Sequence, residues 1–193
     1  MIMMMKKMVC VMSLLMMVHC AIGGQQRQGD VSNIKELYNK HRKNFEVYVL
    51  GLKSQIKRKP ASLIEWGAKV LMKYNDFTVA CIPISYPFFG YDDSYIQHIL
   101  QSITSDKYLH CIEHSLERCK QKPNNLKLYD WIAQVSHEEH INNIDLPAGV
   151  QKERLIVNPK EYYKIIDKVS PQERDALIVV GLFSRYLAEN NLL

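Results

Sequence analysis

Apolar residues recur at three- and four-residue steps through most of this chain, and that period predicts helix. Ile34, Leu37, Tyr38, His41, Phe45, Tyr48, Val49, Leu52 and Ile56 form one stripe, giving a long amphipathic helix over about 33–59 that Pro60 ends. A second helix starts there, with proline in its first turn, and presents Leu63, Ile64, Trp66, Val70, Leu71 and Tyr74. The period then fails. Pro83 and Pro87 forbid a regular helix, and Thr78, Val79 and Ile82 favour extended backbone, so an irregular, proline-containing connection is expected near 77–90. Helical spacing resumes over 95–103, 108–119 and 126–135.

The clearest start signals come late. Asn158-Pro159-Lys160-Glu161 and Ser170-Pro171-Gln172-Glu173 each offer a capping side chain, proline at the first helical position and glutamate at the third, the pattern of a capping box. Residues 176–183 are apolar all round, which suits a helix in the middle of a bundle. A buried strand also fits that run, but the box before it and Arg185-Tyr186-Leu187-Ala188-Glu189 after it continue a helix. The fold class expected is all-α, a multi-helix bundle.

The first residues read as a leader. Lys6 and Lys7 precede an apolar run over 8–18, and Ala21 and Gly23 occupy the small-residue positions before a cut. This gives a signal peptide over 1–23 and one helical domain over 24–193. Lipid attachment at Cys20 is disfavoured by His19, which stands where a small residue is wanted. No later run is apolar for long enough to span a bilayer, so the product is expected to be secreted or stored in a secretory vesicle. Hydrophobic content of 47% against 23% charged places the rest among globular chains, and no Asn-x-Ser/Thr acceptor occurs.

Cleavage removes Cys10 and Cys20 and leaves Cys81, Cys111 and Cys119. Cys111 and Cys119 fall on one helix roughly 12 Å apart, too far to bridge each other. Cys119 shares the apolar face of Tyr108, Ile112 and Leu116, whereas Cys111 lies to one side. A disulfide between Cys81 and Cys119 is therefore expected, with Cys111 left over as a free thiol or one able to join two chains; three reduced, partly buried thiols are the alternative.

Charge is unevenly divided. Over 33–75, ten basic residues meet three acidic ones, a balance of +7, whereas from Asp76 onward the balance is −4. A basic first hairpin suits an anionic partner, such as an acidic glycoprotein, a polyanionic glycan or a membrane surface. Two solvated helix faces would look the same. A nucleic acid is not among the partners suggested. Lys53, Lys57 and Arg58 read as lying outside the stripe of Leu52 and Ile56.

Catalytic signals are weak. His110-Cys111-Ile112-Glu113-His114 matches the inverted zinc-hydrolase pattern, in which two histidines one turn apart hold zinc and the glutamate is the base. Both histidines lie opposite the Tyr108, Ile112, Leu116 stripe, and His137 and His140 likewise fall away from the face of Leu128, Trp131, Ile132 and Val135. Four surface histidines without a third ligand do not make a catalytic zinc site. There is no nucleophile elbow and no phosphate-binding glycine loop, so no catalytic residue, metal site or cofactor is expected. Tyr86, Phe88, Phe89, Tyr91 and Tyr95 form an aromatic cluster readable as core or as an exposed recognition patch.

Asn39-Lys40 followed by Phe45-Glu46-Val47, then Leu63-Ile64-Glu65-Trp66, and finally Phe183-Ser184-Arg185-Tyr186-Leu187-Ala188-Glu189-Asn190-Asn191-Leu192 resemble the first two helices and the last helix of the abalone-type gastropod sperm lysins and their acrosomal paralogues. The match covers two blocks; the segment over 77–157 has no counterpart, and the chain is less basic than that family. The resemblance implies a small secreted helical bundle, stored in the acrosome, that acts without catalysis by binding egg-coat glycoprotein or the egg membrane and opening a path for sperm. It implies that Lys40, Arg42, Lys43, Lys53, Lys57 and Arg58 face the ligand. The reading is a secreted, non-enzymatic bundle that docks an anionic or glycoprotein partner. The alternatives are a secreted effector or small-hydrophobe carrier with an apolar cavity between helices and, after it, a zinc-dependent hydrolase.

Overall fold

A computed structural model describes residues 30–57 and 86–193. The chain divides into two units, Met1–Asp30 and Val31–Leu193. Apart from Asp30 the first unit, and with it the expected leader, lies outside the described residues. So do the second predicted helix, Arg58, Cys81 and most of the connection near 77–90.

The second unit is all-α. In chain order come α1 (Asp30–Lys57), a 3-10 turn (Tyr86–Gly90), α2 (Asp93–Ser102), α3 (Asp106–Lys120), α4 (Leu128–Asn143), α5 (Lys152–Val157), α6 (Pro159–Tyr163), a second 3-10 turn (Ile166–Lys168) and α7 (Pro171–Glu189). No strand occurs among the described residues, and no helix there is long and apolar enough to cross a membrane.

Local chemistry sets the helix ends. Asp92 caps α2 by accepting from the Tyr95 N–H at 2.7 Å and the Ser94 hydroxyl at 2.8 Å, and these bonds lower its pKa. Asn158 caps α6 through the Lys160 N–H, and the Ser170 hydroxyl caps α7 through the Glu173 N–H, each with proline next in line. The expected box at Ser170 closes by only that half. Glu173 turns away to take Lys107 of α3 and the Asp145 N–H at 3.0 Å, because an ammonium and a loop amide lie within its reach. At the far end of α7, Asn191 adopts φ 56° while its N–H meets the Ala188 carbonyl and that of Leu192 meets Leu187, a Schellman stop for which asparagine tolerates the left-handed backbone.

α7 is the central helix, packed on α4, α3 and α2, and all residues from Arg174 to Val180 are buried. The apolar run over 176–183 is thus a core helix, as its pattern predicts. α1 adds a ring cluster: Tyr38 and Phe45 lie 5.1 and 5.0 Å from Phe183, and the Tyr38 hydroxyl donates to the Leu100 carbonyl at 2.6 Å. The stripe read from the sequence is the buried face, with Tyr38, Phe45 and Val49 fully inside.

α7 approaches α4 closely at Gly181, where an added Cβ would stand 2.8 Å from the Ser136 Cβ. Gly181→Val is therefore expected to destabilise the fold by about 1–3 kcal/mol, measured as a lower urea midpoint, because two helix backbones must move apart to admit it.

Candidate functional site

The outward face of α1 carries the basic residues. Lys40, Lys43 and Val47 recur at helical spacing opposite Tyr38, Phe45 and Val49, and all three are exposed, Val47 by 71%. Arg42, one turn after Tyr38, sits half-buried at the border of the buried stripe, and Lys35, two turns before it on the same side, is exposed. Lys57 ends α1, and its side chain, like Arg58, lies outside the described residues.

Lys53 corrects the sequence reading. Expected on the ligand face, it is only 3% exposed, with its ammonium 2.5 Å from both the Tyr91 carbonyl and the Asp93 carboxylate. It follows Val49 by one turn, at the border of the buried stripe. There its apolar stem packs inward while its charge reaches the first turn of α2. Lys53 therefore tethers α1 to α2.

The remaining body uses most of its cations internally. Lys107 pairs with Glu173, Arg118 with Glu138 and Glu139, Lys164 with Glu161, Arg174 with Asp175, and Arg185 with Glu189. Lys122 donates to the Pro123 and Leu126 carbonyls, and Lys152 to that of Asn142. Lys35, Lys40, Arg42 and Lys43 have no ion-pair partner among the described residues.

The histidines separate into two kinds. His110 and His114 are exposed, as their spacing predicts. His114 Nδ1 lies 2.6 Å from Glu139 Oε1, and Arg118 reaches the same carboxylate at 3.8 Å. Glu139 is itself buried and also takes the Asn143 amide. His137 and His140, expected on the surface, are buried instead. α4 packs on more than one side, against α3 and α7 and also against α5, so a second stripe of His137, His140, Ile141 and Ile144 faces inward. His137 Nε2 meets the Leu155 carbonyl at 2.8 Å, and His140 Nε2 meets the Tyr162 hydroxyl at 2.7 Å. Burial lowers both pKa values, that of His140 to about 3. Among the described residues no group of three or more His, Cys, Asp or Glu side chains could hold a metal ion.

Sequence reasoning missed a buried polar network between α7 and the start of α2. Asp175 accepts from Arg174 Nε and from the Tyr95 hydroxyl, both at 2.9 Å, and Arg174 also reaches the Tyr91 hydroxyl at 3.3 Å. The Tyr91 and Tyr95 rings lie 4.3 Å apart, and Phe88 and Phe89 are buried. These four aromatics belong to the core and its edge; the Tyr86 side chain lies outside the described residues. The adjacent Arg174-Asp175 pair, immediately before the apolar run over 176–183, was the available signal.

Cys111 and Cys119 share α3, and both are buried free thiols, which corrects the disulfide expected between Cys81 and Cys119; Cys81 itself lies outside the described residues. Cys111, expected beside the apolar face, is inside it, packed in the main core. Burial pushes both thiols up to about 11, so neither offers a thiolate at neutral pH.

The two terminal blocks of the sequence resemblance meet in space, Phe45 against Phe183 and Tyr186 at 5.0 and 5.5 Å. Comparison of the chain with family models, with curated proteins and with solved structures finds no match in any of the three.

Proposed function

We propose that this chain is a secreted, non-enzymatic helical protein that docks an anionic glycoprotein through the outer face of α1, in the manner of the sperm lysins it resembles. The observation that carries the reading is the outer face of α1, where Lys40 and Lys43 stand exposed beside Val47 and have no ion-pair partner among the described residues. Exposed cations of one sign on a rigid helix attract an acidic surface over a Debye length of about 8 Å at physiological salt. Val47 adds an apolar contact at the centre of that face. Lys53 is not part of the docking face.

The test is charge reversal at two positions. Lys40→Glu with Lys43→Glu should weaken binding to an immobilised sulfated or sialylated glycoprotein by about tenfold or more, with an unchanged circular dichroism spectrum. Lys53→Glu should instead lower the thermal midpoint, since it places a carboxylate beside Asp93 in a buried position. Undiminished binding by the double variant would remove α1 from the interface.

A further inference from the structure

Two short helices, α5 and α6, are held against α4 by a small set of anchors. Helices of six and five residues do not persist alone. Their buried contacts are Leu155, Pro159 and Tyr162, whereas Val157 and Tyr163 point outward, exposed by 75% and 52%. The two side-chain hydrogen bonds that reach this segment from the buried face of α4 both come from histidines, His137 to the Leu155 carbonyl and His140 to the Tyr162 hydroxyl.

We propose that His137 and His140 form an acid-released latch: neutral, they hold the segment over 152–163 on the bundle, and once protonated they let it go while the core around α7 stays folded. The charges around them do not accommodate an imidazolium. His140 faces Tyr162 of α6, Arg174 of α7 and His137 of its own helix; the Arg174 guanidinium opposes an imidazolium at His140, and protonation of His137 would oppose it further. His137 feels Glu138, an attraction that burial outweighs. The nearby carboxylates are already engaged: Asp175 by Arg174 and Tyr95, Glu173 by Lys107 and the Asp145 N–H, Glu139 by His114 and Arg118.

The sign follows from linkage. A histidine whose pKa is depressed in the closed state and ordinary in the open state favours opening as pH falls below about 6.5. For His140, held near 3, the open population should rise about twenty-five-fold between pH 7 and pH 5, and His137 acts in the same direction.

Amide hydrogen exchange of the full chain at pH 7 and pH 5, corrected for intrinsic rates, tests this. Peptides over 152–163 should lose about twenty-five-fold or more of their protection at pH 5, while those of α3 and α7 keep theirs. The double variant His137→Gln, His140→Gln retains amide donors but cannot titrate, so its protection should not depend on pH. Where that variant fails to fold, imidazole NMR titration of the parent decides: protonation of His140 should coincide with the loss of protection. Unchanged protection at pH 5, loss spread equally to α3 and α7, persistence of the pH effect in the double variant, or His140 titrating near 6.5 with the segment still protected would each overturn the latch.

Discussion

Replacing Phe183 by alanine is expected to cost about 3–5 kcal/mol of folding stability, measured by urea denaturation, and to loosen α1 first. Phe183 is fully buried on the central helix and is the ring that Tyr38 and Phe45 of α1 share, at 5.1 and 5.0 Å, with Tyr186 stacked beside it at 6.1 Å. Truncation removes apolar burial and leaves a cavity that two facing helices cannot collapse into. Other ties of α1 include the ring contacts of Phe45 and Tyr48 with Tyr186, the Tyr38 hydroxyl on the Leu100 carbonyl, the Lys53 ammonium on the start of α2 and the Gln97 amide on Glu46. Of the polar ties only that of Tyr38 is fully buried, and ties in contact with water hold a helix weakly, so exchange in α1 should accelerate before that in α3 or α4.

Asp175→Ala should be comparably damaging, by about 3–5 kcal/mol, for an electrostatic reason. Asp175 is fully buried and is the carboxylate that neutralises Arg174, itself buried within α7. Its loss leaves a guanidinium in the interior with the Tyr91 hydroxyl as its remaining side-chain partner, and leaves the Tyr95 hydroxyl without its acceptor. The Tyr95 pKa is raised by burial and by that same carboxylate, so the phenol is held as a donor in the native state. Tyr95→Phe removes only one hydroxyl and should cost about 1 kcal/mol, which separates loss of the hydrogen bond from loss of the charge partner. Denaturant midpoints of the two variants check the ranking.

Periodicity made the helices legible because each large element buries one continuous stripe. The α1 stripe, the caps at Asn158 and Ser170 and the all-round apolar run of α7 are local patterns, and each appears where its pattern predicts. The sites that escaped depend on neighbours distant in sequence. Lys53 looks like an outward lysine until Asp93, forty residues on, supplies its counter-ion. His137 and His140 look exposed when α4 is given a single buried face, and the contacts that bury them, His137 with Leu155 of α5 and His140 with Tyr162 of α6, come from helices of only six and five residues. Glu173 fits a capping box, yet Lys107 and the Asp145 amide draw its carboxylate elsewhere. Of the six basic residues read as ligand-facing, Lys40 and Lys43 are exposed, Arg42 is on the flank and Lys53 is inside; the side chains of Lys57 and Arg58 lie outside the described residues.

Docking through α1 is tested most directly by the association rate to an immobilised sulfated glycoprotein, followed as ionic strength rises from 0.05 to about 0.5 M, where the Debye length contracts from above 10 Å to below about 5 Å. The parent chain should associate at least about tenfold more slowly at the high-salt end, while Lys40→Glu with Lys43→Glu should be slow throughout and nearly insensitive to salt. Equal rates for parent and variant, with the same flat salt response, would contradict docking through the basic face of α1.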